Sequence, residues 1–146
     1  MLKITTNSVE ETIALGEKIG RQLKGGEVFA INGNLGAGKT HLIKGIVRGV
    51  SDDGDNSEVC SPTFVLAKEY LGGRLDVYHI DAYRIESCAE FENLGFDDMC
   101  SPASVVLVEW ANRVQESMKS AATGEIDIAH SGKDSREICI KGIEKL

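Results

Sequence analysis

Glu27-Val28-Phe29-Ala30-Ile31-Asn32 leads directly into Gly33-Asn34-Leu35-Gly36-Ala37-Gly38-Lys39-Thr40, which continues as His41-Leu42-Ile43-Lys44-Gly45-Ile46-Val47-Arg48-Gly49-Val50. The first run is short, apolar and rich in strand formers. The last resumes helical spacing through Leu42, Ile43, Ile46 and Val47. Between them, Gly33 to Thr40 satisfies G-x-x-x-x-G-K-T/S at every fixed position, and strand, glycine loop and helix follow in the order that this phosphate-binding loop requires. Glycines let the backbone curl around a β-phosphate with its amide hydrogens inward, while the helix contributes the positive end of its dipole. Gly33, Gly36, Ala37 and Gly38 are therefore candidate nucleotide-binding positions. Lys39 is placed to reach the β- and γ-phosphates, and Thr40 to offer a hydroxyl to Mg²⁺. His41 joins the nucleotide-binding candidates by position alone; neither it nor His130 carries a pattern of its own.

Working outward, Ser8 with Glu11 three positions on predicts a capping box that opens a helix through Val9, Ile13, Leu15, Ile19 and Leu23, stopped by Gly25-Gly26. Phe64 to Leu71 and Arg74 to Asp81 read as strands joined across Gly72-Gly73. Ser87 to Leu94 reads as a short helix closed by Gly95. Ser104 to Glu109 (SVVLVE) is the most apolar strand and belongs inside the sheet. Residues 111 to about 120 read as helix, and Glu125 to His130 with Arg136 to Ile140 as a second hairpin around Ser131 to Asp134. The class is α/β: a P-loop NTPase-like mixed sheet flanked by helices, with two antiparallel hairpins.

A P-loop needs an acid at the end of a second buried strand, to hold Mg²⁺ or orient the attacking water. Glu109 fits, because it directly follows Val105 to Val108 and a carboxylate there is costly unless it faces a site. Trp110, the sole tryptophan, is open to three roles: core, a flank to the nucleotide, or a partner surface. Asp81 ends its strand inside His79-Ile80-Asp81-Ala82-Tyr83-Arg84 and is a candidate for the metal side, whereas His79 suits a packed or hydrogen-bonded role. Ser61-Pro62-Thr63-Phe64 is either a turn or the seat of a γ-phosphate switch at Thr63.

The 146 residues are 42% hydrophobic and 27% charged, which predicts one compact domain over residues 1–146. Sixteen basic against 23 acidic residues leave a net charge of −7. That disfavours a groove gripping nucleic acid by neutralising phosphates, so contact with RNA is expected through a partner. No apolar run approaches the roughly 18 residues of a membrane span, and the amino terminus is unlike a signal peptide, so a cytoplasmic location is expected. Cys60, Cys88, Cys100 and Cys139 match neither a zinc site nor a redox pair. The acidic run Asp52, Asp53, Asp55 and Glu58, with Gly54 and Asn56, reads as a solvated loop.

P-loop, Ser-Pro-Thr-Phe, His-Ile-Asp-Ala-Tyr-Arg and Val-Glu-Trp, in that order from about Ser8 to Arg113, closely resemble the TsaE (formerly YjeE) family, and Arg136 resembles that family's C-terminal arginine. The resemblance implies an ATPase, with ATP and Mg²⁺ as cofactors, that joins the TsaB and TsaD proteins. There TsaD transfers a threonylcarbamoyl group to the adenosine beside the anticodon of tRNAs reading codons that begin with A, and ATP hydrolysis resets the complex between turnovers. It also implies Lys39 and Thr40 as phosphate and metal residues, Glu109 as the second metal-side acid, Asp81 as a required acid near the metal and Thr63 as a switch. Thr6, Asn7 and Asn112 are the candidates for contact with the base. The sequence departs from the family in a longer acidic loop between Val50 and Val59, in Ala111 where proline is common, and over residues 114–124. A GTPase is strongly disfavoured, since neither D-x-x-G after a strand nor N-K-x-D occurs. The competing readings are a small nucleotide or metabolite kinase, disfavoured by scattered arginines without a lid, and a nucleotide-dependent binding module that does not turn over.

Overall fold

The computed structural model describes residues 1–34, 36–51 and 67–146. Leu35, Cys60, the acidic run from Asp52 to Glu58, and the Ser61-Pro62-Thr63-Phe64 motif with its switch candidate lie outside the described residues. The strands are β1 (Leu2–Thr6), β2 (Val28–Asn32), β3 (Ala67–Tyr70), β4 (Asp76–Asp81), β5 (Ser104–Glu109), β6 (Gly124–His130) and β7 (Arg136–Lys141). The helices are α1 (Val9–Gln22), α2 (Lys39–Ser51), α3 (Cys88–Asn93), α4 (Phe96–Met99) and α5 (Gln115–Ala121), with a 3₁₀ turn over Ala111–Val114. The strands form one sheet in the order β1-β7-β6-β2-β5-β4-β3. β2 runs parallel to β5 and β6, and β4 parallel to β5. The hairpins β3–β4 and β6–β7 are antiparallel, as the sequence predicts.

β5 is buried at all six positions, because it lies inside the sheet with helices on both faces. One face packs Leu107, Val105, Ile126, Ile138 and Phe29 against Leu15 and Ile19 of α1 and Leu42, Ile43 and Ile46 of α2. The other packs Val106, Val108 and Ile80 against Phe91, Phe96, Val114 and Met118. Helices α1 and α2 approach backbone to backbone. A Cβ added at Gly16 would sit 2.4 Å from the Leu42 carbonyl oxygen, and one at Gly20 2.2 Å from that of Ile46. Gly45 and Gly49 return the contact from α2, so Gly16-x-x-x-Gly20 and Gly45-x-x-x-Gly49 mesh as two facing stripes.

Three local features differ from the sequence reading. β1 is a strand the periodicity does not announce: five residues paired antiparallel to β7, Leu2 opposite Ile140 and Thr6 opposite Arg136. Gly95 closes α3 as the sequence predicts, its N–H donating to the Glu92 carbonyl at 3.0 Å, but a second short helix, α4, which the sequence reading does not include, follows at once. At φ 90° Gly95 redirects the chain from α3 into α4, stacking Phe91 on Phe96 with ring centroids 4.5 Å apart. The capping box is displaced by one residue, since the Ser8 hydroxyl accepts from Glu11 N–H as expected while the Glu11 carboxylate takes the N–H of Asn7.

Candidate functional site: the P-loop cleft

β2, β5 and β4 are parallel neighbours, so their C-terminal ends reach one edge of the sheet, where open α/β sheets bind ligands. At that edge β2 becomes the glycine loop. Gly36 (φ 78°) and Gly38 (φ 103°) occupy the left-handed region that other residues rarely adopt, which lets the loop turn back onto α2. The Leu42 amide donates to the Gly38 carbonyl at 3.1 Å, so α2 starts at the loop and Lys39 and Thr40 fall in its first turn. A strut from the far hairpin braces the loop, because Arg136 Nε donates to the Ala37 carbonyl at 2.8 Å and Nη1 to the Ser135 carbonyl at 3.0 Å.

β4 and β5 place Asp81 directly opposite Glu109, and Glu109 is also opposite Ile31 of β2. Two carboxylates therefore stand side by side at the strand ends facing the loop. Asp81 Oδ1 accepts from the Tyr83 N–H at 3.0 Å, fixing the turn that leaves β4. Glu109 is only 3% exposed and accepts at Oε2 from Nε2 of the fully buried His79, 2.6 Å away. Lys39 is buried too; its ammonium donates to the Gly33 carbonyl and lies 4.1 Å from the centroid of the Trp110 ring. Burial pushes the Lys39 pKa below the usual lysine value, and the carboxylates of Glu109 and Asp81 pull it partly back. Trp110 has the one positive φ outside glycine among the described residues (φ 57°, ψ 39°), held by Lys39 on its face and by Tyr83, whose ring centroid is 4.9 Å away. Arg113 extends the stack over Tyr83 at 5.3 Å.

Gly36, Gly38, Lys39, Thr40, His41, Asp81, Glu109, Trp110 and Arg136 line one cleft of about 310 Å³. A model of the family described as "Threonylcarbamoyl adenosine biosynthesis protein TsaE" matches residues 6–138, from the end of β1 through the first half of β7. The chain belongs to the TsaE family. The match continues well beyond Arg113, across the stretch 114–124 where the motifs run out. The tRNA threonylcarbamoyladenosine biosynthesis protein TsaE of Bacillus subtilis is 39% identical over 142 residues, 97% of this chain and 86% of that protein. The Treponema pallidum protein of the same name is 33% identical over 139 residues, 95% and 99% of the two chains. The crystal structure of Bacillus subtilis YdiB superposes with a TM-score of 0.75 at 36% identity, covering 94% of this chain and 82% of that one.

In this TsaE-family fold the nucleotide-binding candidates do not all converge. Asn7 opens onto a second hollow of about 310 Å³ that adjoins the cleft and shares Gly38, His41 and Arg136 with it, and the Ser135 hydroxyl donates to Asn7 Oδ1 at 2.9 Å. Thr6 is buried at the end of β1, its hydroxyl 2.7 Å from that of Thr12, so it is tied to the first turn of α1. Asn112 lines a different hollow, with Ala30, Gln115 and Met118, on the sheet face away from α2. The donor set suits Mg²⁺ of the kind that enters with a nucleotide. Among the described residues no three His, Cys, Asp or Glu side chains gather into a self-sufficient cage. A hard cation held by one hydroxyl, one or two carboxylates, phosphate oxygens and water needs no such cage. Sequence reasoning missed the His79–Glu109 bond and the Arg136 strut, both of which are long-range contacts that only the strand order creates.

Proposed function

We propose that this TsaE-family chain is a Mg²⁺-dependent P-loop ATPase that serves tRNA threonylcarbamoyladenosine biosynthesis in the cytoplasm. It would act with TsaB and TsaD and use ATP hydrolysis to reset their complex between turnovers. The observation that carries the reading is the convergence of Lys39, Thr40, Asp81 and Glu109 on one cleft beside a glycine loop with two left-handed glycines. In this reading Lys39 leaves the Gly33 carbonyl and the Trp110 ring for the β- and γ-phosphates, which restore the charge partner that burial denies it. The loop amides and the first turn of α2 cradle the phosphates. Thr40, Glu109 and Asp81 would hold Mg²⁺, which when bound neutralises charge on the β- and γ-oxygens. Glu109, in the driest part of the cleft, orients the attacking water. The net charge of −7 suits a protein that meets tRNA only through its partners.

The names of the Bacillus subtilis and Treponema pallidum relatives support the place in threonylcarbamoyladenosine synthesis. The test is phosphate release from ATP by the chain alone, with TsaB and TsaD, and by Lys39→Ala in both settings. The expected result is slow release alone, stimulation by the pair and loss in the variant. Release that Lys39→Ala leaves unchanged would remove the ATPase reading. Stoichiometric binding without release, with or without the pair, would leave a nucleotide-gated binding module.

A further inference from the structure

Along β4 the residues facing α2 are Val77, His79 and Asp81, and along β5 they are Val105, Leu107 and Glu109. On each strand the series climbs from the apolar core to the cleft. The middle position of β5 is leucine, which packs there without polar atoms. The middle position of β4, opposite Leu107, is a histidine with no exposed surface. Packing does not call for an imidazole here, and the structure records its cost: Nδ1 is buried without a hydrogen-bond partner among the described residues. Its one hydrogen bond among the described residues is the 2.6 Å contact from Nε2 to Glu109 Oε2.

From this we infer that His79 is a positioning residue for Glu109, an inference that rests on the ATPase reading above. By holding Oε2 one pleat below the cleft floor, His79 fixes the carboxylate rotamer and commits the other oxygen to the metal and water side of the P-loop. Without that bond the carboxylate can swing about its last torsion, which is broad and offers little resistance of its own. Partners that orient a ligand or catalytic group typically matter by about 10–100-fold in metal affinity or activity when removed.

The experiment compares the parent, His79→Leu, His79→Gln and Glu109→Gln as full chains. Three quantities are read: ADP affinity in EDTA, the Mg²⁺ concentration that half-saturates the gain in ADP affinity, and kcat and KM for ATP with the partner proteins present. His79→Leu conserves size without a donor, and His79→Gln restores an N–H. The expected result is unchanged ADP affinity in EDTA for the two His79 variants. For His79→Leu, the Mg²⁺ midpoint rises and kcat falls by about 10–100-fold at similar KM, with much of both recovered in His79→Gln. If Glu109→Gln shows these losses and His79→Leu shows neither, the positioning role is wrong and the ATPase reading stands. If Glu109→Gln itself changes neither quantity, the ATPase assignment of Glu109 fails and the role of His79 fails with it. Should His79→Leu and His79→Gln lose thermal stability and ADP affinity in EDTA to the same extent, His79 is a packing residue and the inference is overturned. His79→Gln keeps the question answerable should His79→Leu not fold.

Discussion

The facing glycine stripes of α1 and α2 make a prediction whose two halves can be separated. In Gly20→Ala the new Cβ starts 2.2 Å from the Ile46 carbonyl oxygen and 2.9 Å from Gly49 Cα and Val50 N. Ordinary contact begins near 3.4 Å, so the helices must part by about 1.2 Å, and the obstacles are backbone atoms that cannot rotate aside. A gap of that size forfeits roughly half of the dispersion well for each apolar pair it opens, and Ile19, Ile43 and Ile46 sit in that interface. Overpacking of this severity costs about 3–4 kcal/mol, against which alanine returns about 1 kcal/mol of helix propensity. The net loss is about 2–3 kcal/mol, or roughly 6–10 °C in Tm for a chain of this length.

Gly16→Ala should lose a similar amount of stability, since its Cβ starts 2.4 Å from the Leu42 carbonyl oxygen. Leu42, however, lies in the first turn of α2, beside Lys39 and Thr40, whereas Ile46 to Val50 lie at the other end. Gly16→Ala should therefore also weaken ADP binding, by about tenfold or more, because misplacing binding groups by about 1 Å is expensive. Gly20→Ala should bind ADP nearly as the parent does. Gly26→Ala is the control: it has a positive φ of 94° with no atom within 4 Å, so it carries only backbone strain of about 1–2 kcal/mol. Thermal unfolding and ADP titration of the three variants check this. If Gly20→Ala melts no lower than Gly26→Ala, the stripes are not the tight contact described, and equal ADP affinity in the Gly16 and Gly20 variants would refute the division between the two ends of α2.

Glu109→Gln should retain ATP but hydrolyse it at least tenfold more slowly in the presence of the partners, because a neutral amide orients water and metal poorly in the transition state; single-turnover quench kinetics decide this. Thr40→Ala should shift nucleotide binding to higher Mg²⁺ concentration while leaving binding in EDTA intact, as seen by calorimetry with and without the metal. Lys39→Met should stabilise the nucleotide-free protein near neutral pH. Burial lowers the Lys39 pKa, so the folded state disfavours the charged form at pH values below that lowered pKa. The advantage of the variant should fade as pH rises from there towards the ordinary lysine value of 10.5, where the unfolded chain also loses its proton; urea unfolding across that range tests the sign.

What the sequence makes legible here follows from how local each signal is. The P-loop, its strand and its helix are readable because the motif fixes spacing within one connected segment. Glu109 is readable because five consecutive buried positions leave an acid nowhere to go but the strand mouth. β1 is not readable: its five residues bury little by themselves and become a strand by pairing with β7, some 130 residues away. The 3₁₀ turn at Ala111–Val114 and the short helix α4 depend on how the chain must bend to cover the second face of the sheet, which no helical period records. Asn112 follows Trp110 closely in sequence, yet the turn carries it to the opposite face of the sheet from the P-loop helix.

Trp110 shows the same divide within a single residue. Sequence leaves it between core, nucleotide flank and partner surface, because an aromatic after a buried strand suits all three. In the structure its ring is neither fully buried nor pointed away from the cleft. It leans on Tyr83 and presents its face to the Lys39 ammonium, at the expense of a left-handed backbone that a bulky residue adopts rarely. That arrangement has a consequence for binding. The ammonium and the ring stabilise each other, so under the ATPase reading a nucleotide would have to outcompete the ring as well as the Gly33 carbonyl for the same lysine. Contacts of this kind are worth about 0.5–2 kcal/mol according to exposure, which is enough to change an affinity severalfold. The tryptophan lines the cleft and also meets the lysine, a relation that exists only once β2 and β5 are neighbours.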